Sequence, residues 1–289
     1  MAAPGSITRF NNGVQSAKRF SEALWAVMVR GMSEPPKLPR NPIVVIPSRL
    51  ASARLPNKPI ADIHGTPMIV HVWRRAVEAD VGPVIVACAD FEIIDAVKDA
   101  GGDAIYTNPD HASGSDRVFE AMHTVDPRKK HDCVINLQGD LPTIEPDAVR
   151  ASLLPLGDEA CDIATLAAVI TDDAERDDPN VVKAVLSMNE GETPKGIKTG
   201  RALYFSRATV PSGGTLYHHI GIYAFRREAL DRFVRLPRGN LERLEKLEQL
   251  RALESGMRID AQLVDTVPLG VDTPADLERA REMLAPEGN

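Results

Sequence analysis

Closely spaced cysteines are absent from this sequence. Its 289 residues include three cysteines, Cys88, Cys133 and Cys161, each in an apolar context and far from the next. Zinc sites and redox motifs use paired cysteines, and small disulfide-stabilised domains use many more of them. We therefore expect three unpaired thiols in the hydrophobic core of a cytoplasmic protein.

Long hydrophobic runs and an excess of positive charge are also absent. No run approaches the roughly 20 apolar residues that cross a bilayer, so no membrane-spanning helix is predicted. The chain has 34 Lys and Arg against 41 Asp and Glu, a net charge of −7. Such a balance does not favour binding to nucleic acid or to an anionic membrane surface. An anionic small-molecule substrate would need a local cluster of cations.

The first 41 residues differ in composition from the rest of the chain. They are basic, with a weakly amphipathic stretch from Phe20 to Met32 and a proline-rich end at Pro35–Pro39. A targeting peptide, a disordered tail and a true start at Met32 all fit this pattern. We interpret residues 1–41 as a dispensable, flexible extension and residues 42–289 as the functional domain.

From Pro42 onward, short β-branched runs alternate with longer helical patterns. The runs predict strands buried on both faces, because both faces of a parallel sheet are covered. The predicted strands are Ile43–Ile46, Val84–Ala87 and Cys133–Leu137, and the predicted helices are Pro67–Ala79, Phe91–Ala100 and Ser115–His123. This alternation indicates a doubly wound, mostly parallel, Rossmann-like α/β sheet.

The second half of the chain is typical of a small mixed α/β subdomain. Its predicted strands are Ile163–Ile170, Val181–Leu186, Ala202–Phe205 and Ile220–Phe225, and its predicted helices are Leu241–Glu254 and Pro274–Leu284. Thr273 and Pro274 suit the N-cap and first position of the last helix.

A loop with three basic residues follows the first predicted strand and is the strongest indication of function in the sequence. Arg49, Arg54 and Lys58 lie on a loop that has no glycine between Pro47 and Pro59. Ligands of open α/β sheets bind beyond the carboxyl ends of the strands, and Arg and Lys suit the phosphates of a nucleoside triphosphate. The alternative is a solvated basic loop without a ligand.

Two aspartates are candidates for a magnesium site. Asp140 follows the predicted strand Cys133–Leu137, and Asp272 lies 132 residues later, just before a helix. Mg²⁺ in nucleotide sites takes one or two protein carboxylates together with water and phosphate oxygens. The alternative for Asp272 is helix capping, although Thr273 competes for that position.

Two segments of the second half offer a polar pocket. Strand alternation places His219, Gly221 and Tyr223 on one face, where the glycine leaves room for a ligand. A half-exposed strand with a packed aromatic is the alternative. In the predicted helix Leu241–Glu254, Glu248 points almost the same way as Leu241, so it either lies at a surface edge or faces a polar pocket.

The segment Pro47–Pro59 resembles the R-x-x-S-x-R-L-P-x-K-P signature of the CMP-sugar-acid synthetases, above all of the Kdo (3-deoxy-manno-octulosonate) cytidylyltransferases. The resemblance extends from Ile43 to Leu284. Further matching segments are Gly65–Val72, Ser113–Arg117, Gln138–Asp140, Tyr204–Ala208, His219–Tyr223, Leu247–Arg251 and Gly270–Pro274. So many matches in the same order make the family resemblance specific.

The resemblance implies a nucleotidyltransferase of the nucleotide-diphospho-sugar transferase fold. It would join CTP to Kdo, giving CMP-Kdo and pyrophosphate, by in-line attack of the anomeric hydroxyl on the CTP α-phosphate, and so activate Kdo for lipopolysaccharide synthesis. The implied catalytic residues are Arg49, Lys58, Asp140 and Asp272, the last two as Mg²⁺ ligands. The implied CTP-binding residues are Arg49, Arg54, Lys58, Ser113, Arg117 and Gln138, and the implied sugar-acid-binding residues are Arg207, His219, Tyr223, Glu248 and Gln249. The family also suggests a homodimer, with residues 185–265 forming the sugar-acid pocket and dimer contacts.

Two positions depart from the family pattern. Asn57 replaces a common glycine, and asparagine tolerates left-handed backbone better than most residues. Leu141 replaces the glutamate of the family's Q-G-D-E-P segment, so no role of that carboxylate carries over. A CMP-sialic acid synthetase and a non-catalytic nucleotide-binding protein of the same fold remain alternatives.

Overall fold

A nine-stranded sheet forms the centre of the protein in a computed structural model that describes residues 37–51, 54–189 and 198–286. In spatial order its strands are β5 (Asp103–Tyr106), β4 (Val84–Cys88), β1 (Pro42–Ser48), β6 (Cys133–Leu137), β10 (Tyr217–Arg226), β7 (Ile163–Val169), β11 (Ile259–Leu263), β9 (Thr199–Ser206) and β8 (Lys183–Met188). A separate ribbon pairs β2 (Asp62–Ile63) with β3 (Thr66–Pro67). The helices are α1 (Met68–Glu78), α2 (Phe91–Asp99), α3 (Gly114–Val125), α4 (Pro146–Ala151), α5 (Asp173–Arg176), α6 (Arg227–Arg235), α7 (Asn240–Glu245), α8 (Leu250–Glu254) and α9 (Pro274–Met283).

Strand directions divide the sheet into two halves. β1 pairs in parallel with β4 and with β6, and β4 pairs in parallel with β5. Beyond β6 the pairing becomes mixed, because β10 runs antiparallel to both β6 and β7 while β11 runs parallel to β7. The predicted mixed second half therefore extends the same sheet. The parallel half ends at β6, the strand that Gln138–Asp140 follow.

Alternate residues of β1 enter two different hydrophobic clusters. Val44 and Ile46 belong to the cluster that contains the apolar face of α1, whereas Ile43 and Val45 belong to the cluster that contains α3. Because strand side chains alternate between faces, helices cover both sides of the sheet. The predicted doubly wound α/β class is confirmed.

Most predicted elements are present with ends shifted by a few residues, but the helix Leu241–Glu254 is wrong as a continuous element. α7 stops at Glu245, Lys246 adopts a left-handed conformation (φ 58°), and α8 begins at Leu250. The leucines of this segment recur every three residues, a spacing that drifts around a 3.6-residue helix. The break places Leu247 and Leu250 in the core and leaves Leu244 in solvent.

The predicted extension falls almost entirely outside the described residues, since residues 1–36 are not among them. Arg40 and Asn41 are described, and their backbone N–H groups both donate to the carboxylate of Asp132, at 2.7 and 2.9 Å. The Asn41 carbonyl also lies 3.0 Å from a ring nitrogen of His131. These bonds attach the chain to the sheet just before β1.

The cysteines and the lengths of the helices were also subjects of prediction from the sequence. All three cysteines are unpaired and buried, and burial raises the pKa of Cys88 and of Cys161 to about 12. Among the described residues, the helices are too short or too polar to traverse a bilayer.

Candidate active site

A cleft of about 430 Å³ opens beyond the carboxyl ends of β1 and β6. Its lining residues are Pro47, Ser48, Arg49, Ala51, Arg54, Lys58, Pro59, His111, Ser113, Gly114, Arg117, Gln138, Gly139, Asp140 and Asp272. The cleft thus gathers every residue predicted from the sequence for CTP, catalysis and metal binding. These residues come from four separate stretches of the chain, which meet because parallel strands end at one edge of the sheet.

Local backbone geometry sets the position of Lys58. Asn57 adopts the left-handed conformation (φ 56°) that the sequence led us to expect, and a short 3₁₀ turn, Lys58–Ile60, follows it. The Asn57 carbonyl accepts the N–H of Ile60 at 3.0 Å, closing this turn. The turn directs Lys58 inward, so that only 14% of its side chain is exposed, whereas 62% of the Arg54 side chain is exposed.

The carboxylates of Asp140 and Asp272 converge on the ammonium group of Lys58. Its Nζ lies 2.9 Å from Oδ2 of Asp140 and 3.1 Å from Oδ1 of Asp272. Arg54 reaches the other oxygen of Asp272 at 2.9 Å. Burial opposes the charge of Lys58, but the two carboxylates outweigh that effect and raise its pKa. The ammonium group therefore stays protonated at neutral pH.

A backbone link explains why two aspartates 132 residues apart meet. The N–H of Val271 donates to the carbonyl of Asp140 at 2.9 Å and joins the two loops next to their acidic residues. Gly139 permits close approach on the other side, since a Cβ there would lie 2.9 Å from the carbonyl oxygen of Pro47. Asp140 thereby comes close to the cationic loop.

Helix capping does not account for Asp272. The hydroxyl of Thr273 accepts the N–H of Asp276, and the Asp276 carboxylate accepts from the backbone of Thr273 in a reciprocal capping box. Burial acts to raise the pKa of Asp276, but bonds from Arg279 and the capping groups prevail and hold it at about 2. The side chain of Asp272 remains directed at the cations.

The donor set suits a divalent cation that shares its coordination with a nucleotide. Two carboxylate oxygens converge on one point, and no group of three or more His, Cys, Asp or Glu able to hold a metal occurs among the described residues. Mg²⁺ commonly takes one or two carboxylates and completes its shell with water and phosphate oxygens. Asp140 and Asp272 would fit such an ion as its protein ligands, with a bound nucleotide completing the shell.

Leu141, the residue in place of the family's glutamate, belongs to the hydrophobic core. It is 8% exposed and packs beside the loop of Gly270, where a Cβ added to the glycine would lie 3.8 Å from the leucine side chain. It does not line the cleft, whereas its neighbour Asp140 does. The substitution therefore leaves the two-carboxylate arrangement intact.

Two further arginines occupy the cleft in different states. Arg49 is exposed at the rim, whereas Arg117 is 3% exposed and donates to the hydroxyl of Thr107. Burial lowers the pKa of Arg117, and the charge of Arg49 adds to that effect. Arg117 is thus held in place in the wall of the cleft, while the exposed side chain of Arg49 has room to move toward a bound ligand.

A chain of polar contacts leads from the cleft to Glu248. Gln138 donates to Asn136 at 3.2 Å, Asn136 lies 3.5 Å from the hydroxyl of Ser115, and Ser115 donates to Oε2 of Glu248 at 2.9 Å. Ser113 begins α3 through a capping box with Asp116. Burial raises the pKa of Glu248. The chain connects predicted nucleotide-binding and sugar-binding residues.

The rings of His219 and Tyr223 lie next to each other on β10, with centroids 5.5 Å apart. They do so despite a bulge in β10 between Ile220 and Tyr223. The hydroxyl of Thr165 donates to the Ile222 carbonyl, so it accepts from Nε2 of His219 at 3.0 Å. Burial lowers the pKa of His219 to about 3, which keeps the imidazole neutral. Burial also raises the pKa of Tyr223, and the charge of Glu248 adds to it.

The structure does not bring Arg207 to the cleft. Its guanidinium donates to the carbonyl of Pro179 at 2.9 Å, and its backbone N–H donates to Glu245 at 3.2 Å. Gln249 is 7% exposed and lies beside Glu248 on the turn between α7 and α8. The role of Arg207 toward the sugar carboxylate stays a prediction.

His111 lies in the cleft although it was not predicted from the sequence. Its Nε2 pairs with the carboxylate of Glu120, which also accepts the N–H of Asn108 at 2.8 Å. Its position two residues before the Ser113–Arg117 segment is the feature of the sequence that could have indicated this location.

Comparisons with known proteins identify the family of this chain. The family model described as cytidylyltransferase matches residues 43–259. The 3-deoxy-manno-octulosonate cytidylyltransferase of Rhodospirillum centenum is 65% identical over 249 residues, 86% of this chain and 95% of that protein. Its counterpart from Paramagnetospirillum magneticum is 61% identical over 84% of this chain and 97% of its own length. A solved CMP:2-keto-3-deoxy-manno-octonic acid synthetase complexed with CTP superposes with a TM-score of 0.76 at 40% identity, covering 85% of this chain and 98% of that one. The chain therefore belongs to the cytidylyltransferase family, in the group of the 3-deoxy-manno-octulosonate cytidylyltransferases.

Proposed function

We propose that this enzyme transfers the CMP group of CTP to Kdo and releases pyrophosphate. The observation that carries the proposal is the convergence of Asp140 and Asp272 on Lys58 inside a cleft lined by Arg49 and Arg54. Phosphoryl-type transfer needs charge neutralisation and alignment more than a covalent catalyst, and this cleft supplies both. We infer the two substrates, CTP and Kdo, from the names of the relatives.

The cationic loop would bind the triphosphate. Arg49 and Arg54 are exposed at the rim, while Lys58 is anchored deeper. Arg49 has room to fold over phosphate oxygens, and Arg54 would exchange its contact with Asp272 for them. As the anomeric oxygen bonds to the α-phosphorus and its proton passes to solvent, the bond from phosphorus to the bridging oxygen breaks and charge grows on pyrophosphate. Fixed cations at that position favour the transition state over the ground state.

Asp140 and Asp272 would hold Mg²⁺, which supplies Lewis-acid neutralisation of the reacting phosphate. Lys58 neutralises the same two carboxylates in the protein alone. The phosphates of CTP offer Lys58 another anionic partner. The aspartates are then available to the cation that accompanies the nucleotide.

The sugar acid would bind where Glu248, Tyr223 and His219 meet. The Tyr223 phenol remains protonated because its pKa is raised, so it is a hydrogen-bond donor to a sugar oxygen. The neutral His219 places no charge beside the sugar. The polar chain through Ser115 and Gln138 would couple the positions of the two substrates.

Pyrophosphate release with CTP and Mg²⁺ tests the substrate assignment. We expect release with Kdo and none above background with sialic acid. Release with sialic acid alone would contradict the choice of sugar while retaining the reaction type. Binding of CTP without turnover of any sugar acid would favour a nucleotide-binding protein instead.

We also propose that the chain forms a homodimer through the region of residues 185–265. Leu203 on β9 and Leu244 on α7 are 55% and 71% exposed, and Glu245 joins these elements by accepting from Tyr204 and Ser206. A contiguous exposed apolar surface marks a protein–protein contact, and we propose that these two leucines belong to such a surface. Sedimentation equilibrium should give the mass of two chains, and a single-chain mass at micromolar concentration would contradict the proposal.

A further inference from the structure

The turn that carries Glu248 lies between two very short helices. α7 and α8 contain six and five residues, and neither is long enough to be stable by itself. The position of Glu248 therefore depends on what fixes α7 to α8. Glu254 contributes by accepting the backbone N–H of Asn240 at 2.9 Å.

A buried ion pair makes the principal side-chain connection across this turn. Nε and Nη2 of Arg251 on α8 donate to the two carboxylate oxygens of Glu242 on α7, at 2.8 and 2.7 Å. Glu242 and Arg251 are 8% and 6% exposed. The guanidinium also lies over the ring of Phe233, 5.1 Å from its centroid. Two hydrogen bonds and an aromatic face leave this arginine little freedom.

The same guanidinium faces Glu248. Its Nη2 is 3.6 Å from Oε1 of Glu248, within range of an ion pair but beyond a good hydrogen bond. That Oε1 is buried and has no hydrogen-bond partner within the described ranges, while Oε2 accepts from Ser115. Glu242 thus accepts the hydrogen bonds of the Arg251 guanidinium, and Oε1 of Glu248 is left buried and without a hydrogen bond to any described residue.

We propose that Arg251, clamped by Glu242, is a positioning residue that holds the Glu248 carboxyl ready for a hydroxyl of the sugar acid. The proposal rests on the proposed function, because it assigns the sugar acid to the pocket of Glu248. Glu242 has two effects: it fixes the turn, and it prevents Arg251 from capturing Glu248. Oε1 of Glu248, buried in the protein alone, would then accept a hydrogen bond from the sugar acid when it enters the pocket.

Steady-state kinetics of the full-length protein separates this role from a structural one. In Glu242→Gln, Arg251 loses its charged partner and is drawn to Glu248, so we expect KM for Kdo to rise at least about tenfold. KM for CTP should stay within about twofold. Arg251→Met should raise KM for Kdo further, and Arg251→Lys, which keeps the charge, should restore part of the loss.

Arg258 provides a matched control. Its guanidinium donates two hydrogen bonds, of 2.9 and 2.7 Å, to the buried carboxylate of Asp260, and neither residue lines the cleft. Arg258→Lys should cost stability without a selective change in KM for Kdo. Equal changes in both KM values for the Glu242 and Arg251 variants, tracking their melting temperatures, would overturn the positioning role. If the Arg251 variants do not fold, the KM of Glu242→Gln for Kdo, compared with its KM for CTP, decides between a positioning and a structural role. Wild-type inactivity toward Kdo would instead overturn the proposed function, and the positioning role with it.

Discussion

Asp272→Asn should lower kcat for pyrophosphate release by at least roughly a thousandfold, or about 4 kcal/mol of transition-state stabilisation. The variant keeps the shape of the side chain but removes one of the two negative charges that converge with Lys58. A cation held by Asp140 alone would bind more weakly and less precisely oriented. Pyrophosphate release at saturating CTP and Mg²⁺ measures the effect.

Folding should be almost unchanged in this variant. The Asp272 side chain is 47% exposed, and exposed ion pairs contribute at most about 1 kcal/mol. Lys58 keeps Asp140 as a partner, so no buried charge is left alone. Asp265→Asn is the control, because Asp265 is an exposed aspartate of the same loop region. A kcat within tenfold of the wild type would remove Asp272 from the catalytic set.

The pair of aspartates also predicts a particular non-additivity. If both carboxylates serve one cation, Asp140→Asn combined with Asp272→Asn should lose little more activity than either alone. Independent roles would instead multiply the two losses. Comparison of the double variant with both single variants distinguishes one shared site from two separate contributions.

Much of the cleft was predictable because its residues lie where strands end. A β-branched run followed by Arg49, or by Asp140, indicates both the strand and the edge of the sheet that its loop reaches. The left-handed conformation of Asn57 was predictable for a local reason, namely the steric tolerance of asparagine. These inferences need only the neighbouring sequence.

Features that depend on distant partners were not predictable. β11 was missed because a five-residue segment that contains Asp260 and Gln262 does not look like a buried strand, yet both residues are buried and Asp260 is neutralised by Arg258. The break at Lys246 was missed because five evenly spaced leucines suggest one long helix. The link between Glu242 and Arg251 exists only once that break has brought two short helices together.

Lys58→Met should weaken catalysis and strengthen metal binding at the same time. The ammonium group neutralises Asp140 and Asp272 in the protein alone and competes with any cation for them. Without it, two carboxylates face one another, which favours a bound cation or a proton. We expect kcat to fall by about a hundredfold to a thousandfold through loss of phosphate stabilisation.

Calorimetric titration of the nucleotide-free protein with Mg²⁺ measures the opposite effect, a tighter dissociation constant in Lys58→Met than in the wild type. The melting temperature of the variant should also rise more steeply with Mg²⁺, because a cation that binds the folded state alone stabilises it. Lys98→Met, which removes an exposed lysine of α2, should change neither quantity. Weaker Mg²⁺ binding in Lys58→Met would mean that the lysine organises the two aspartates for the cation and does not compete with it.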